Sequence, residues 1–206
     1  MTITNAAGFV HRYEPAGAPG HTPLLLLHGT GGDENDLLPL GRMLSPGAAL
    51  LSPRGRVLEH GMPRFFRRLA EGVFDHDDVR LQADALADFI AAAQANCGMA
   101  APIAVGFSNG ANIAAAVLYR RPEVLAGAVL LRAMEPLEEA PGHPLDGKPV
   151  LILSGNADTL TTPDNPARLA AALAQAGAQV DHRIVRAGHG LTQNDVAISK
   201  AWLDGK

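Results

Sequence analysis

One cysteine, Cys97, occurs in 206 residues, so no internal disulfide is available. A lone thiol suits a reducing compartment. No apolar run approaches the roughly 20 residues that a membrane-spanning helix needs. Residues 1–10 lack the basic-then-apolar order of a signal peptide. The formal net charge is only −4, which argues against a dedicated nucleic-acid surface. Internal repeats and a dividing linker are also missing. These absences lead us to expect one domain over 1–206, in the cytoplasm, without stable membrane insertion and without a nucleic-acid partner.

What is present suits a packed core, with 47% hydrophobic and 18% charged residues. Short apolar segments alternate with helix-like ones. Leu24-Leu25-Leu26-Leu27 reads as a strand buried on both faces. Residues 34–44 have helical spacing and 48–51 read as a brief strand stopping at Ser52-Pro53. Residues 79–97 place Leu81, Ala85, Leu86, Phe89, Ile90 and Ala93 three or four apart, which predicts an amphipathic helix. Strands are expected at 103–105, 128–131, 150–153 and 179–185. Helices are expected at 109–119, 163–176 and 195–203, with Pro163 suited to a first turn. The pattern predicts an α/β fold: a doubly wound, mostly parallel sheet with helices on both faces. In such sheets reactive groups sit on loops at the carboxyl ends of strands.

Gly106-Phe107-Ser108-Asn109-Gly110 lies between a strand and a helix. A Gly-x-Ser-x-Gly turn in that setting lifts the serine hydroxyl above the sheet, and small residues let the two backbones approach. Ser108 is therefore the candidate nucleophile. A serine needs a base. Only His143, His182 and His189 follow it; His182 falls within a strand and His143 precedes one. His189, between Gly188 and Gly190 after the strand at 179–185, is the candidate base. Asp158, in the turn-prone Ser154-Gly155-Asn156-Ala157-Asp158 loop, is the candidate acid; Asp164 and Glu135 compete with it.

His28-Gly29-Thr30-Gly31-Gly32 follows the first buried strand. It lacks the Lys-Ser/Thr ending of a phosphate loop and the spacing of a dinucleotide site. It suits an oxyanion hole, with donors from the backbone N–H groups of Thr30 and Asn109. Residues 52–76 are rich in Arg, Gly and Pro with no clear period, and an irregular segment of that length is often functional. Arg54, Arg64 or Arg67 could bind an anionic substrate group there, and Phe65 and Phe66 could form an apolar wall. Equally, a phenylalanine packs in the core and the arginines are solvated or paired with Asp75, Asp77 and Asp78. Asp75-His76-Asp77-Asp78 reads as a helix start rather than a metal site.

With these segments in hand, the chain resembles the small phospholipase/carboxylesterase family of α/β-hydrolases, relatives of the acyl-protein thioesterases. The matching stretches run Leu27 to Leu37, Ser52-Pro53-Arg54-Gly55, 106–110, Gly155-Asn156-Ala157-Asp158 and Gly188-His189-Gly190-Leu191. Gly61-Met62-Pro63-Arg64-Phe65-Phe66-Arg67-Arg68 and Glu71-Gly72-Val73-Phe74-Asp75 are similar to the bacterial MhqD-like subgroup, associated with resistance to hydroquinone-type compounds. The resemblance implies an α/β-hydrolase fold without a large cap. It also implies hydrolysis of small-molecule esters or thioesters by a Ser-Asp-His triad, with no metal or organic cofactor. It does not choose one substrate. Attack on a non-ester carbonyl, perhydrolase chemistry and an inert binding protein stay open, as does a homodimer.

Overall fold

The computed structural model describes residues 3–6, 8–162 and 164–205. The strands are β1 (Ile3–Ala6), β2 (Phe9–Glu14), β3 (Leu24–Leu27), β4 (Leu50–Pro53), β5 (Val57–Glu59), β6 (Met62–Arg64), β7 (Arg68–Ala70), β8 (Val73–Phe74), β9 (Ile103–Phe107), β10 (Gly127–Leu131), β11 (Pro149–Gly155) and β12 (Gln179–Val185). The α-helices are α1 (Leu38–Leu44), α2 (His76–Cys97), α3 (Asn109–Arg120), α4 (Asp164–Gln175) and α5 (Gln193–Leu203). Eight strands form the central sheet in the order β1-β2-β4-β3-β9-β10-β11-β12. All pairs from β4 to β12 are parallel, and β1 and β2 add an antiparallel edge. No helix among the described residues is long and apolar enough to cross a membrane.

Strand alternation sorts the core into two layers. Leu25, Leu27, Ala104, Leu130 and Ile152 pack with α2, α3 and α4 on one face. Leu24, Leu26, Val105, Leu131 and Leu153 pack with α1 and α5 on the other. Because helices cover both faces, these strands are apolar throughout rather than alternating. α3 is buried from Asn109 to Tyr119, as expected of a helix apolar on all sides.

Several boundaries differ from the sequence expectation. α1 starts at Leu38, not Glu34, because the Asp33 side chain accepts from the Asn35 N–H at 2.7 Å. That local bond holds a turn in competition with helix, while Pro39 favours a first turn beginning just before it. β4 covers 50–53 rather than 48–51, since β2 pairs with it through His11 and Pro53. The helix expected from Val79 begins at His76, capped by Asp75, whose side chain accepts from the Asp78 N–H. Leu81 is 63% exposed and does not share the buried face. Pro163 lies outside the described residues; α4 runs on from Asp164.

Residues 52–76 hold two small hairpins rather than an irregular loop. β5–β6 turns at His60-Gly61 and β7–β8 at Glu71-Gly72. His60 and Gly61 have φ of 50° and 81°, so this turn matches the right-handed twist of its strands.

Candidate active site

The turn between β9 and α3 brings two backbones into close contact. A Cβ on Gly106 would lie 2.5 Å from the Gly110 carbonyl oxygen. A Cβ on Gly110 would lie 2.0 Å from the Leu27 carbonyl oxygen. Ser108 takes φ 52° and ψ −115°, a strained backbone for a residue with a Cβ. Its N–H donates to the Leu131 carbonyl at 2.9 Å, and its carbonyl accepts from Asn112 at 3.0 Å. The neighbouring strand β10 and the first turn of α3 thus hold the strained serine in place.

His189 Nε2 lies 2.9 Å from Ser108 Oγ, and His189 Nδ1 lies 2.9 Å from Asp158 Oδ2. A carboxylate only accepts, so Nδ1 carries the proton and Nε2 is left to accept from the serine hydroxyl. The Asp158 side chain is 1% exposed and that of His189 27%. Asp158 Oδ1 accepts from the Leu160 N–H at 2.9 Å, which sets the carboxylate's direction. The competing acids are engaged elsewhere, as Arg168 binds both Glu135 and Asp164. His182 pairs with Ser154 Oγ at 2.9 Å instead.

The His189 loop is held by a residue that pattern reading passed over. Arg132 follows β10 at φ 58°, and its side chain is 0% exposed. Nε donates to the Gly188 carbonyl at 2.9 Å and Nη2 to the Gly190 carbonyl at 3.2 Å. Nη1 and Nη2 also donate to Asp195 at 2.8 and 2.9 Å, and Nη1 reaches the Leu153 carbonyl at 3.2 Å. A guanidinium has five N–H donors, and here each has a partner. The carbonyls on either side of His189 are therefore tied to one buried group. Asp195 in turn caps α5 with Thr192. Gly188 and Gly190 are absent from the positive-φ residues, so the loop uses their carbonyls rather than their conformational freedom. The available signal was a charged residue directly after an all-apolar strand at the carboxyl edge of the sheet.

The His28–Gly32 loop rests on a second set of ties. The Gly55 N–H donates to His28 Nε2 at 2.9 Å, so the ring's proton is on Nδ1, which donates to the Gly29 carbonyl at 2.7 Å. Burial pushes the His28 pKa down, outweighing the Gly29 bond and the nearby Asp36, Asp33 and Glu34. Arg54 grips Glu34 through two bonds of 2.5 and 2.8 Å. Arg54 is thus a brace for this loop and does not line the cavity at Ser108. Neither the Thr30 nor the Asn109 N–H donates to a protein acceptor among the described residues. Asn109 sits in the first turn of α3, where such donors lack intrahelical partners.

A cavity of about 240 Å³ opens beside Ser108 and His189. Phe65 and Phe66 do not wall it; they are 2% and 0% exposed and belong to the core. Phe107, Phe74, Met134 and Leu160 supply the apolar lining instead. Arg64 does line the cavity, joined by Arg68 from the second hairpin. Arg67 pairs with Asp75, at 2.9 Å. The Phe65 N–H donates to Asn109 Oδ1 at 2.7 Å, linking this segment to the serine turn. Two-residue turns at His60-Gly61 and Glu71-Gly72 were the sequence signal for the hairpins that build this wall.

No family model matches the chain. It is 46% identical to the hydrolase MhqD of Bacillus subtilis (strain 168) over 183 residues, 87% of this chain and 90% of that one. The Bacillus cereus carboxylesterase structure superposes with a TM-score of 0.92 at 40% identity, covering 96% of this chain and 94% of that one. The structure of YahD with malic acid superposes with a TM-score of 0.90 at 29% identity, covering 96% and 98%. With the fold and sheet order above, these likenesses place the chain in the small phospholipase/carboxylesterase family of α/β-hydrolases, as a carboxylesterase-type hydrolase.

Proposed function

We propose that this carboxylesterase works through a Ser108-His189-Asp158 triad and an acyl-enzyme intermediate. The observation that carries the reading is the unbroken chain of contacts Ser108 Oγ–His189–Asp158, with both links at 2.9 Å and the serine on a strained turn. His189 Nε2 takes the hydroxyl proton as Oγ bonds to the substrate carbonyl carbon. The Thr30 and Asn109 N–H groups hold the resulting oxyanion. The carbon–leaving-group bond breaks, and His189 returns its proton to the departing alcohol or thiol. Water then attacks the acyl-enzyme with His189 again as base, releasing the acid and restoring Ser108. Asp158 keeps the imidazole tautomer and stabilises the imidazolium.

The cavity's modest volume favours esters, and by the same chemistry thioesters, of small or medium acyl groups. YahD is described with malic acid, and a small molecule of that size is the class of ligand this reading assigns to the pocket. The test is Ser108→Ala. It should abolish hydrolysis of a short p-nitrophenyl ester and labelling by a fluorophosphonate while far-UV circular dichroism stays unchanged. Retained turnover in a folded Ser108→Ala protein would remove Ser108 from the mechanism.

A further inference from the structure

We infer that Arg64, assisted by Arg68, forms a subsite for a carboxylate carried by the substrate. The inference rests on the triad reading and adds a substrate class to it: esters with an anionic carboxylate a few bonds from the scissile carbonyl.

Three arginines line the cavity, and their bonding separates them. Arg132 has every N–H engaged and its charge matched by Asp195. Arg64 is different. Its side chain is 4% exposed. Nε donates to the Phe66 carbonyl at 3.2 Å and Nη1 to Thr30 Oγ1 at 2.7 Å. Among the described residues Nη2 has no protein partner, and it is not among the fully buried unpartnered atoms. Its two N–H groups remain without a protein acceptor, on a residue that lines the cavity.

The charge count points the same way. The carboxylate at Arg64 is Glu59, 3.2 Å from Nη1 and outside hydrogen-bonding geometry. Glu59 is also the partner of Arg68, whose Nε donates to it at 2.9 Å. Two guanidiniums share one carboxylate, which leaves one positive charge over within the Arg64-Arg68-Glu59 cluster. Burial and the nearby Arg68 push the Arg64 pKa down, and Glu59 offsets this only in part. Glu71 also lines the cavity but makes no ion pair with either arginine among the described residues. A single excess positive charge in a partly desolvated wall matches a carboxylate better than a dianion. The Arg64 bond to Thr30 Oγ1 places this charge next to the candidate oxyanion hole. The subsite is therefore within reach of a short substrate whose carbonyl sits at Ser108.

The test compares ethyl hydrogen glutarate (acyl-side carboxylate) and O-butanoyl glycolate (alcohol-side carboxylate) with neutral ethyl pentanoate, followed by pH-stat at pH 7. A charge-assisted bond predicts that kcat/KM for at least one anionic ester exceeds that of the neutral ester by about tenfold to hundredfold. Arg64→Gln should bring that ratio towards one, and Arg68→Gln should lower it in part. Glutarate should inhibit hydrolysis of the neutral ester competitively where glutaramide does not. If Arg64→Gln fails to fold, the more exposed Arg68→Gln and the glutarate comparison carry the test. An anionic-to-neutral ratio at or below one in the unaltered enzyme overturns the subsite. So does a ratio that neither substitution changes. Failure of the triad reading looks different: Ser108→Ala would still hydrolyse whichever esters the enzyme accepts.

Discussion

Replacing Arg132 by methionine removes the group that ties both carbonyls flanking His189. Asp195 has a 1% exposed side chain, and this change leaves it buried without its cation. Breaking one side of a buried ion pair costs about 3–5 kcal/mol. A domain's whole stability is about 5–15 kcal/mol, so the variant should fold but unfold at much lower urea. Catalysis should suffer separately. With the Gly188 and Gly190 carbonyls released, the imidazole can drift, and a 1 Å displacement costs about 100-fold in rate. We expect kcat on p-nitrophenyl acetate to fall by about that factor with KM changed little. Arg132→Lys keeps the charge but not the five-pronged geometry, so it should recover stability better than kcat. Arg132→Met combined with Asp195→Asn should be more stable than Arg132→Met alone, because the stranded carboxylate is gone. An Arg132→Met protein that loses under about 1 kcal/mol and keeps kcat within twofold would refute the clamp.

Asp158→Asn preserves shape but can donate to His189 Nδ1 and so favours the wrong tautomer; kcat should drop about 10⁴-fold with ester affinity retained, as read by steady-state kinetics. Gly110→Ala would push a methyl to within 2.0 Å of the Leu27 carbonyl oxygen, so the serine turn and β3 must separate. It should lower both the urea midpoint and the activity, whereas Ala111→Gly, one position on, should spare the turn. His28 has a lowered pKa in the fold, chiefly from burial, so the unfolded chain binds its proton more readily. Its contribution is full above the unfolded value near 6.5 and is lost as pH falls towards the folded one. Urea midpoints should therefore decline from about pH 7 to pH 5, less steeply in His28→Gln. An unchanged slope would assign the effect to other groups, of which His182, also lowered by burial, is one.

Local patterns carried the elements that build the floor of the site. The run at Leu24–Leu27 and the Gly-x-Ser-x-Gly turn are contiguous, so their strand and strand-to-helix character could be read directly. Asp158 and His189 could be nominated because each lies on the loop that follows a strand of the parallel sheet, where topology gathers carboxyl-end loops. The hairpins at 57–74 escaped because strands of two or three residues show no period. Likewise β2 was missed, and with it the true extent of β4, since pairing partners lie far apart in the chain.

For Ser108, then, residue order was enough to nominate a candidate nucleophile, base and acid, because each role needs a residue type at a recognisable strand end. Partner choice was not available there. Arg54, Arg64 and Arg132 are chemically identical letters, yet one braces a loop on Glu34, one faces the cavity with donors to spare, and one is wholly engaged behind His189. Phe65 and Phe66, candidates for either the mouth or the core, both went to the core. The carboxylates that Arg54 and Arg132 meet lie 20 and 63 residues away, and only the packed chain brings those groups within 3 Å.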